Sequence, residues 1–334
     1  MMDFAFAEHQ TDFRDAVRGL LEERCRPSHV RAAWESESGI DLARWNALAQ
    51  MGVVAMMVPE SLSGLGLGET DFVLVLEESG RALLPEPLIE TAVIAPGLLK
   101  ALGGWGEEWL ERVGTGGALV GVGLEGPVLG AQMADLLLVC RGDIYALEPN
   151  AVGLTPRGKH DRGRRLFDLQ WNPSVSRPVL TGSAAEAACA AAFEHGAWAS
   201  AAQLLGVADR LVEMAATHAR ERVQFGRPIG SFQAVKHLLA DIVLAAEFAR
   251  PAVYAAAWAL EHRPTSVAVD VSLAKALASE AALAAAETSL QVHGAIGYTW
   301  EHDLHMWLKR ARSLSHAWGD AAFHRERIAA HLGV

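Results

Sequence analysis

The chain has 334 residues, enough for a large buried core and more than one domain. Its formal net charge of −11, from 29 basic against 40 acidic residues, leaves no basic stripe to neutralise phosphates and excludes nucleic acid as a partner. Hydrophobic residues make up 51%, much of it alanine and leucine, a balance that favours helix over strand.

The first predicted helix is Glu8 to Arg24, with Phe13, Val17, Leu20 and Leu21 on one stripe. Asp41 reads as the N-cap of a second, which places Trp45, Leu48 and Met51 on one face. GVVAMMVPESLSGLGLGET, with Pro59 and four glycines, is a connecting loop. Thr70 or Asp71 caps the next helix, which runs towards Gly80; Leu83-Leu84-Pro85-Glu86-Pro87 ends it and another short helix follows. ALVGVGLEG, ADLLLVCRGDIYALEP and RLFDLQWNP are short apolar runs broken by turn residues and read as strands, with Arg141-Gly142-Asp143 as a hairpin turn. Helices then return: Ala184 to His218, Phe232 to Phe248, Pro251 to His262, Val267 to Val292 and a last one from Leu304, which with short joints suggest an antiparallel bundle. The predicted fold is mainly α with a small central β domain: a helical domain over 1–113, a shortened β domain over 114–183 and a four-helix bundle over 184–334.

Several single features carry little. Cys25, Cys140 and Cys189 are far apart and odd in number, so neither a disulfide framework nor zinc spacing follows, and a reduced, cytoplasmic setting is expected. The segment MMDFAFAEHQ lacks a basic region followed by an apolar run and does not read as a secretion signal. Leu273 to Leu290 carries Lys275, Glu280 and Glu287, which reads as a water-exposed helix rather than a membrane span. Gly121-Val122-Gly123-Leu124-Glu125-Gly126 matches GxGxxG, but Pro127 and another strand-like run follow where a dinucleotide fold needs a helix. The arginine clusters at 162–165 and 310–312 read as surface loops and helix ends, and His293, His302, His305 and His316 as helix surface rather than metal ligands.

Two stretches say more. Arg222-x-x-Phe225-Gly226-Arg227-x-Ile229-x-x-Phe232-Gln233 sets a permanent cation, an aromatic, a glycine turn and a carboxamide around one helix–loop–helix corner. Gln291-x-x-Gly294-x-x-Gly297-Tyr298 supplies a second carboxamide and more glycine. With the opening MDF, Trp45-x-x-Leu48, Val58-Pro59-Glu60 and Glu77-Glu78-x-Gly80-Arg81, these motifs occur in the order found in acyl-CoA dehydrogenases, and the chain resembles that family along nearly its whole length. The resemblance implies FAD as cofactor. Arg222, Phe225, Gln233, Gln291 and Gly294 would then grip the ADP half of a FAD whose flavin ring lies mainly in a neighbouring subunit.

The chemistry that goes with that corner is missing. The family reaction removes the α-proton of an acyl-CoA thioester and needs a carboxylate within reach of that carbon. Registered on Arg310-Ala311-Arg312, the usual glutamate position is Trp318, whose indole only donates. Registered on Gly206-Val207-Ala208 and Arg222, the alternative position is Gly196, with Ala197 where many members carry a CoA-related arginine. Asp320 and Glu194 each lie two residues away, about 200° around a helix, and so face elsewhere. The segment Gly123 to Gly130 lacks the hydroxyls the family uses on the flavin side, and Trp171 follows the last strand as a packing residue.

The pattern therefore resembles the short, catalytically incomplete partner in bacterial heteromers that oxidise bulky CoA thioesters such as steroid side chains. A longer paralogue would supply the glutamate, and the acyl-CoA would bind in the complex. Two other readings stay open: an active homo-oligomer with a displaced base, Asp320 first, and a non-enzymatic scaffold or CoA-ester-binding protein on the same fold.

Overall fold

A computed structural model describes residues 5–158, 160–263 and 265–333; the MDF motif at 2–4 lies outside them. Helix α1 (Glu8–Arg24) is followed by α2 (Pro27–Glu35), α3 (Leu42–Gln50) and α4 (Glu69–Arg81). A π-helical stretch, Ile89–Ile94, leads into α5 (Ala95–Ala101) and α6 (Gly104–Gly114). Strands β1 (Val120–Leu124), β2 (Val128–Leu129), β3 (Leu136–Arg141), β4 (Asp143–Leu147), β5 (Gly153–Pro156) and β6 (Leu166–Gln170) come next. The 40-residue α7 (Gly182–Glu221) leads to the two-residue strands β7 (Val223–Gln224) and β8 (Arg227–Pro228), then α8 (Gln233–His262), α9 (Val267–His293), α10 (Leu304–His316) and α11 (Ala321–Leu332).

The predicted mainly α fold with a small β portion is what forms, and the differences are local. Asp41 caps α3 as expected, accepting from the amides of Ala43 and Arg44. Helix α4 starts at Glu69, ahead of the expected caps Thr70 and Asp71, and the Asp71 carboxylate accepts from the Gly68 amide instead. Pro251 does not divide α8: proline removes one amide donor, but Val253, Ala256, Ala257 and Ala259 beyond it stay buried, so packing holds the helix through it. The last predicted helix is two, separated at Trp318 and Gly319, both with positive φ (58° and 87°).

The chain folds as two compact units. One comprises Ser28–Phe72 and Pro85–Ala199. Its sheets are β1-β3-β4, with β1 parallel and β4 antiparallel to β3, and the antiparallel β2-β6-β5. Arg141 pairs with Asp143 across Gly142 (φ 75°), the hairpin turn expected there. Val128, Leu137, Val139 and Val152 form the core of the β portion, with Trp171 packed against it and 4.9 Å from Tyr145. The glycines of the GxGxxG match have a packing role: a Cβ at Gly121 or Gly123 would stand 2.9 or 2.8 Å from Val128 methyls. Arg165 donates to the carbonyls of Trp34, Ser36 and Glu37, tying off the end of α2 rather than sitting free on a loop.

The cysteines do not follow the disulfide-free expectation. Cys140 on β3 and Cys189 on α7 form a disulfide, their Cα atoms 6.3 Å apart, and the buried Cys25 lies outside it. A sequence separation of 49 carries no information on proximity; only the folded chain brings the two residues together.

The other unit comprises Met1–Pro27, Val73–Leu84 and Ser200–Val334. Alanine-rich α9 is its axis and packs on α8, α10 and α11. Gly206 lies on the backbone of Glu77, and Gly80 on that of Gln203, where any side chain would overlap main-chain atoms. Lys275, one of the charges that argue against a membrane span, is fully buried; its Nζ donates to Ser279 Oγ (3.2 Å) and to the carbonyls of Ser315 (3.1 Å) and Gly319 (2.9 Å). Arg250 bridges Glu77 (2.6 Å) and Asp209 (2.9 Å), yet burial still pushes the Glu77 carboxyl up to about 7. Among the described residues no helix is long and apolar enough to cross a membrane.

Candidate functional site

The corner after α7 is a two-stranded hairpin. Val223 pairs with Pro228 and Gln224 with Arg227, and the Ile229 amide donates to the Arg222 carbonyl at 2.8 Å. The turn residues Phe225 (φ 53°) and Gly226 (φ 80°) both adopt left-handed backbone, the geometry of a tight hairpin turn. Glycine takes it freely, whereas phenylalanine rarely does. Phe225 is nonetheless 92% exposed, so its ring is held out in solvent. Behind it the Arg227 guanidinium lies 4.2 Å over Phe232, whose ring meets Phe225 edge-on at 6.1 Å.

The second stretch meets this corner. Val292 at the end of α9 packs with Ala215 and Ala219 of α7, joined by Ile229, Val235 and Leu239. His218 stacks on His293 at 4.4 Å, and His302 meets His293 at 4.7 Å. Gly294 (φ 63°) ends α9 and opens a 3-10 turn over Gly294–Tyr298. Arg222, Gln233 and Gln291 are all exposed, and the Arg222 guanidinium has no ion pair among the described residues. An uncommitted guanidinium, two free carboxamides and an exposed ring are a donor set suited to a nucleotide diphosphate.

Histidines 218 and 293 are components that the sequence reading missed, and the surface expectation fails for His293 and His305, which are only 6% and 7% exposed. His293 Nδ1 donates to the Ser289 carbonyl at 2.7 Å. Burial, reinforced by the neighbouring imidazoles, depresses it to about 4; burial, His302 and Arg222 lower His218 in the same sense. Both rings are neutral at pH 7, so the cationic charge of the corner is carried by arginine. The available signal was position: His218 stands four residues before Arg222, and His293 two after Gln291.

The base positions are built differently. Trp318 sits at a left-handed backbone position, its carbonyl accepting from His324 Nε2 at 2.8 Å. Asp320 is partly exposed and caps α11, accepting from the Phe323 amide at 2.9 Å; that bond lowers its pKa and makes it a weaker base. Gly196 is a buried position on α7. The residue before it, His195, donates from Nδ1 to the Ala191 carbonyl (2.8 Å) and holds Glu69 through Nε2 (2.7 Å). Burial opposes the imidazolium, but the Glu69 carboxylate outweighs it and the His195 pKa is raised. Neither Glu69 nor His195 stood out in the sequence, since the pair comes from separate helices. Among the described residues no group of three or more His, Cys, Asp or Glu is arranged to hold a metal ion.

Profiles of the acyl-CoA dehydrogenase N-terminal and C-terminal domains match residues 7–113 and 186–333. The chain belongs to the acyl-CoA dehydrogenase family. It is a flavoprotein oxidoreductase of that family, with FAD as cofactor. It is 32% identical to acyl-CoA dehydrogenase IpdE2 of Mycolicibacterium smegmatis over 329 residues, covering 98% of this chain and 99% of that protein. The ChsE4-ChsE5 complex from Mycobacterium tuberculosis contains a chain that superposes with a TM-score of 0.85 at 26% identity, over 99% of both chains. A chain of the Tcur3481-Tcur3483 steroid ACAD G363A variant has the same fold, with a TM-score of 0.86 at 24% identity over 98% of both chains. The exposed Arg222, Gln233 and Gln291 side chains of the corner are chemically suited to the polar groups of a FAD nucleotide tail.

Proposed function

We propose that this chain is the catalytically incomplete subunit of a heteromeric acyl-CoA dehydrogenase that desaturates a bulky acyl-CoA, of the steroid-derived class, between its α and β carbons. The observation that carries the reading is an asymmetry: a nucleotide-gripping donor set at Arg222, Phe225, Gln233, Gln291 and Gly294 stands beside vacant base positions at Trp318 and Gly196. Its likeness over full length to acyl-CoA dehydrogenase IpdE2 and to a chain of the ChsE4-ChsE5 complex supports a partnered acyl-CoA dehydrogenase.

FAD supplies the hydride acceptor of that reaction. The Arg222 guanidinium neutralises diphosphate charge, the carboxamides of Gln233 and Gln291 pair with polar edges of the nucleotide, and Phe225 shields an apolar face from water. A longer paralogue supplies the carboxylate that takes the α-proton. Asp320 is spent as a helix cap and serves as no substitute.

Co-expression with a longer paralogue tests the proposal. The complex should carry FAD and bleach with a bulky acyl-CoA, whereas the purified partner alone should show little of either. Equal FAD content and turnover from the partner alone would sink it. A complex without flavin would favour the scaffold reading, and loss of turnover in Asp320→Asn would restore the displaced-base reading.

A further inference from the structure

A cavity of about 270 Å³ opens between the end of α1, the end of α4, α7 and α10. None of the residues assigned to the nucleotide corner lines it. Its apolar surface is supplied by Leu21, Cys25, Ala82 and Trp307. The Cys25 thiol is turned onto the Ala82 carbonyl (3.2 Å) and the Trp307 indole N–H onto that of Arg81 (2.9 Å), so both present carbon and sulfur surface rather than unmet donors.

Four arginines surround this apolar surface, and they are not equivalent. Arg18 is committed to Glu78 through two bonds (2.5 and 2.9 Å) and Arg81 to Glu213 through two more (2.5 and 2.6 Å). Arg210 reaches the same Glu213 oxygen that Arg81 already holds, at 3.3 Å, and otherwise lies 5.6 Å over the Trp307 ring. Arg26 is exposed, has no ion pair among the described residues, and makes one long bond from Nε to the Glu22 carbonyl (3.4 Å). Two guanidiniums are therefore under-compensated at the edge of a half-apolar cavity. Such a fork accepts a planar carboxylate through paired N–H bonds. The exposed Glu22 carboxylate at the same rim disfavours a second negative charge, and the volume is small against a CoA ester or a nucleotide.

We propose that this cavity binds a small monocarboxylate with an apolar body, its carboxylate at Arg26 and Arg210 and its chain against Leu21, Ala82 and Trp307. The proposal is independent of the FAD corner and of any partner.

Calorimetric titration of the full-length chain with octanoate, 1-octanol and inorganic phosphate tests it. Octanoate should bind one per chain, with 1-octanol at least about tenfold weaker, since a charge-assisted bond is lost, and with no heat from phosphate. Arg26→Gln, at an exposed residue whose loss breaks no ion pair, should weaken octanoate about tenfold and leave 1-octanol unchanged. Absence of octanoate binding, equal affinity for the alcohol, phosphate binding as tight as octanoate, or an Arg26→Gln chain with unaltered octanoate affinity would each overturn the assignment.

Discussion

Arg44 and Glu86 meet with water excluded from both: Nε to Oε2 at 2.9 Å, Nη2 to Oε1 at 2.7 Å, and neither side chain exposed at all. The Asp41 amide adds a third bond to the same carboxylate at 2.8 Å, which fixes the start of α3 to the segment after α4. Replacing Arg44 by Met strands a buried anion and should cost about 3–5 kcal/mol. The double variant Arg44→Met, Glu86→Leu should recover most of that loss. Urea unfolding of the three proteins measures both numbers.

His324 gives stability a defined pH window. It is fully buried, donates from Nε2 to the Trp318 carbonyl and accepts at Nδ1 from the Ser272 hydroxyl (3.1 Å). Burial first, then the charges of Lys275 and Arg327, depress it to about 4 from the ordinary 6.5. The unfolded chain therefore binds this proton more readily, so the contribution is complete above pH 6.5 and drains away as pH falls towards 4. The loss is on the order of 3 kcal/mol. Unfolding free energies measured from pH 7.5 to 4 should show this fall, and His324→Gln should flatten part of it.

Gly206 has no room to become anything else. A methyl there would overlap the Glu77 carbonyl and the Arg81 amide, which are backbone atoms and cannot turn aside. Gly206→Ala should destabilise by about 3 kcal/mol. Gly19, inside α1 with nothing within 4 Å of an added Cβ, is the control: Gly19→Ala should stabilise by roughly 0.5–1 kcal/mol. Thermal melts of the two variants should move in opposite directions.

Arg222→Ala tests the nucleotide corner with little structural risk, because the guanidinium is exposed and its removal breaks no ion pair. FAD retained by the heteromer through gel filtration should fall at least about tenfold, as expected for loss of a charge-assisted phosphate contact, with the melting temperature of the flavin-free protein unchanged. Unaltered flavin content would remove Arg222 from the corner.

Helix, strand and turn were readable wherever local chemistry decides them. Asp41 had to cap something, Gly142 had to turn, and the stripe of Val17 and Leu21 had to face inward. The residues proposed for the nucleotide corner stand out in the sequence because they fall in two short runs, which Val292, Ala215 and Ala219 draw together in the fold. What stayed hidden depends on partners distant in sequence. The burial of Lys275 is invisible in the sequence because its acceptors Ser315 and Gly319 lie 40 and 44 residues on. Cys140 and Cys189 looked unrelated because nothing local to either announces the other, and Glu69 with His195 failed to register for the same reason.

The turn at Trp318 and Gly319 is closed to substitution from two sides. Its two carbonyls are clamped by an imidazole and an interior ammonium, and the tryptophan itself adopts a backbone shape hostile to most side chains. A carboxylate introduced at 318 would enter a turn whose carbonyls are already held by Lys275 and His324 and would have to accept the same left-handed backbone.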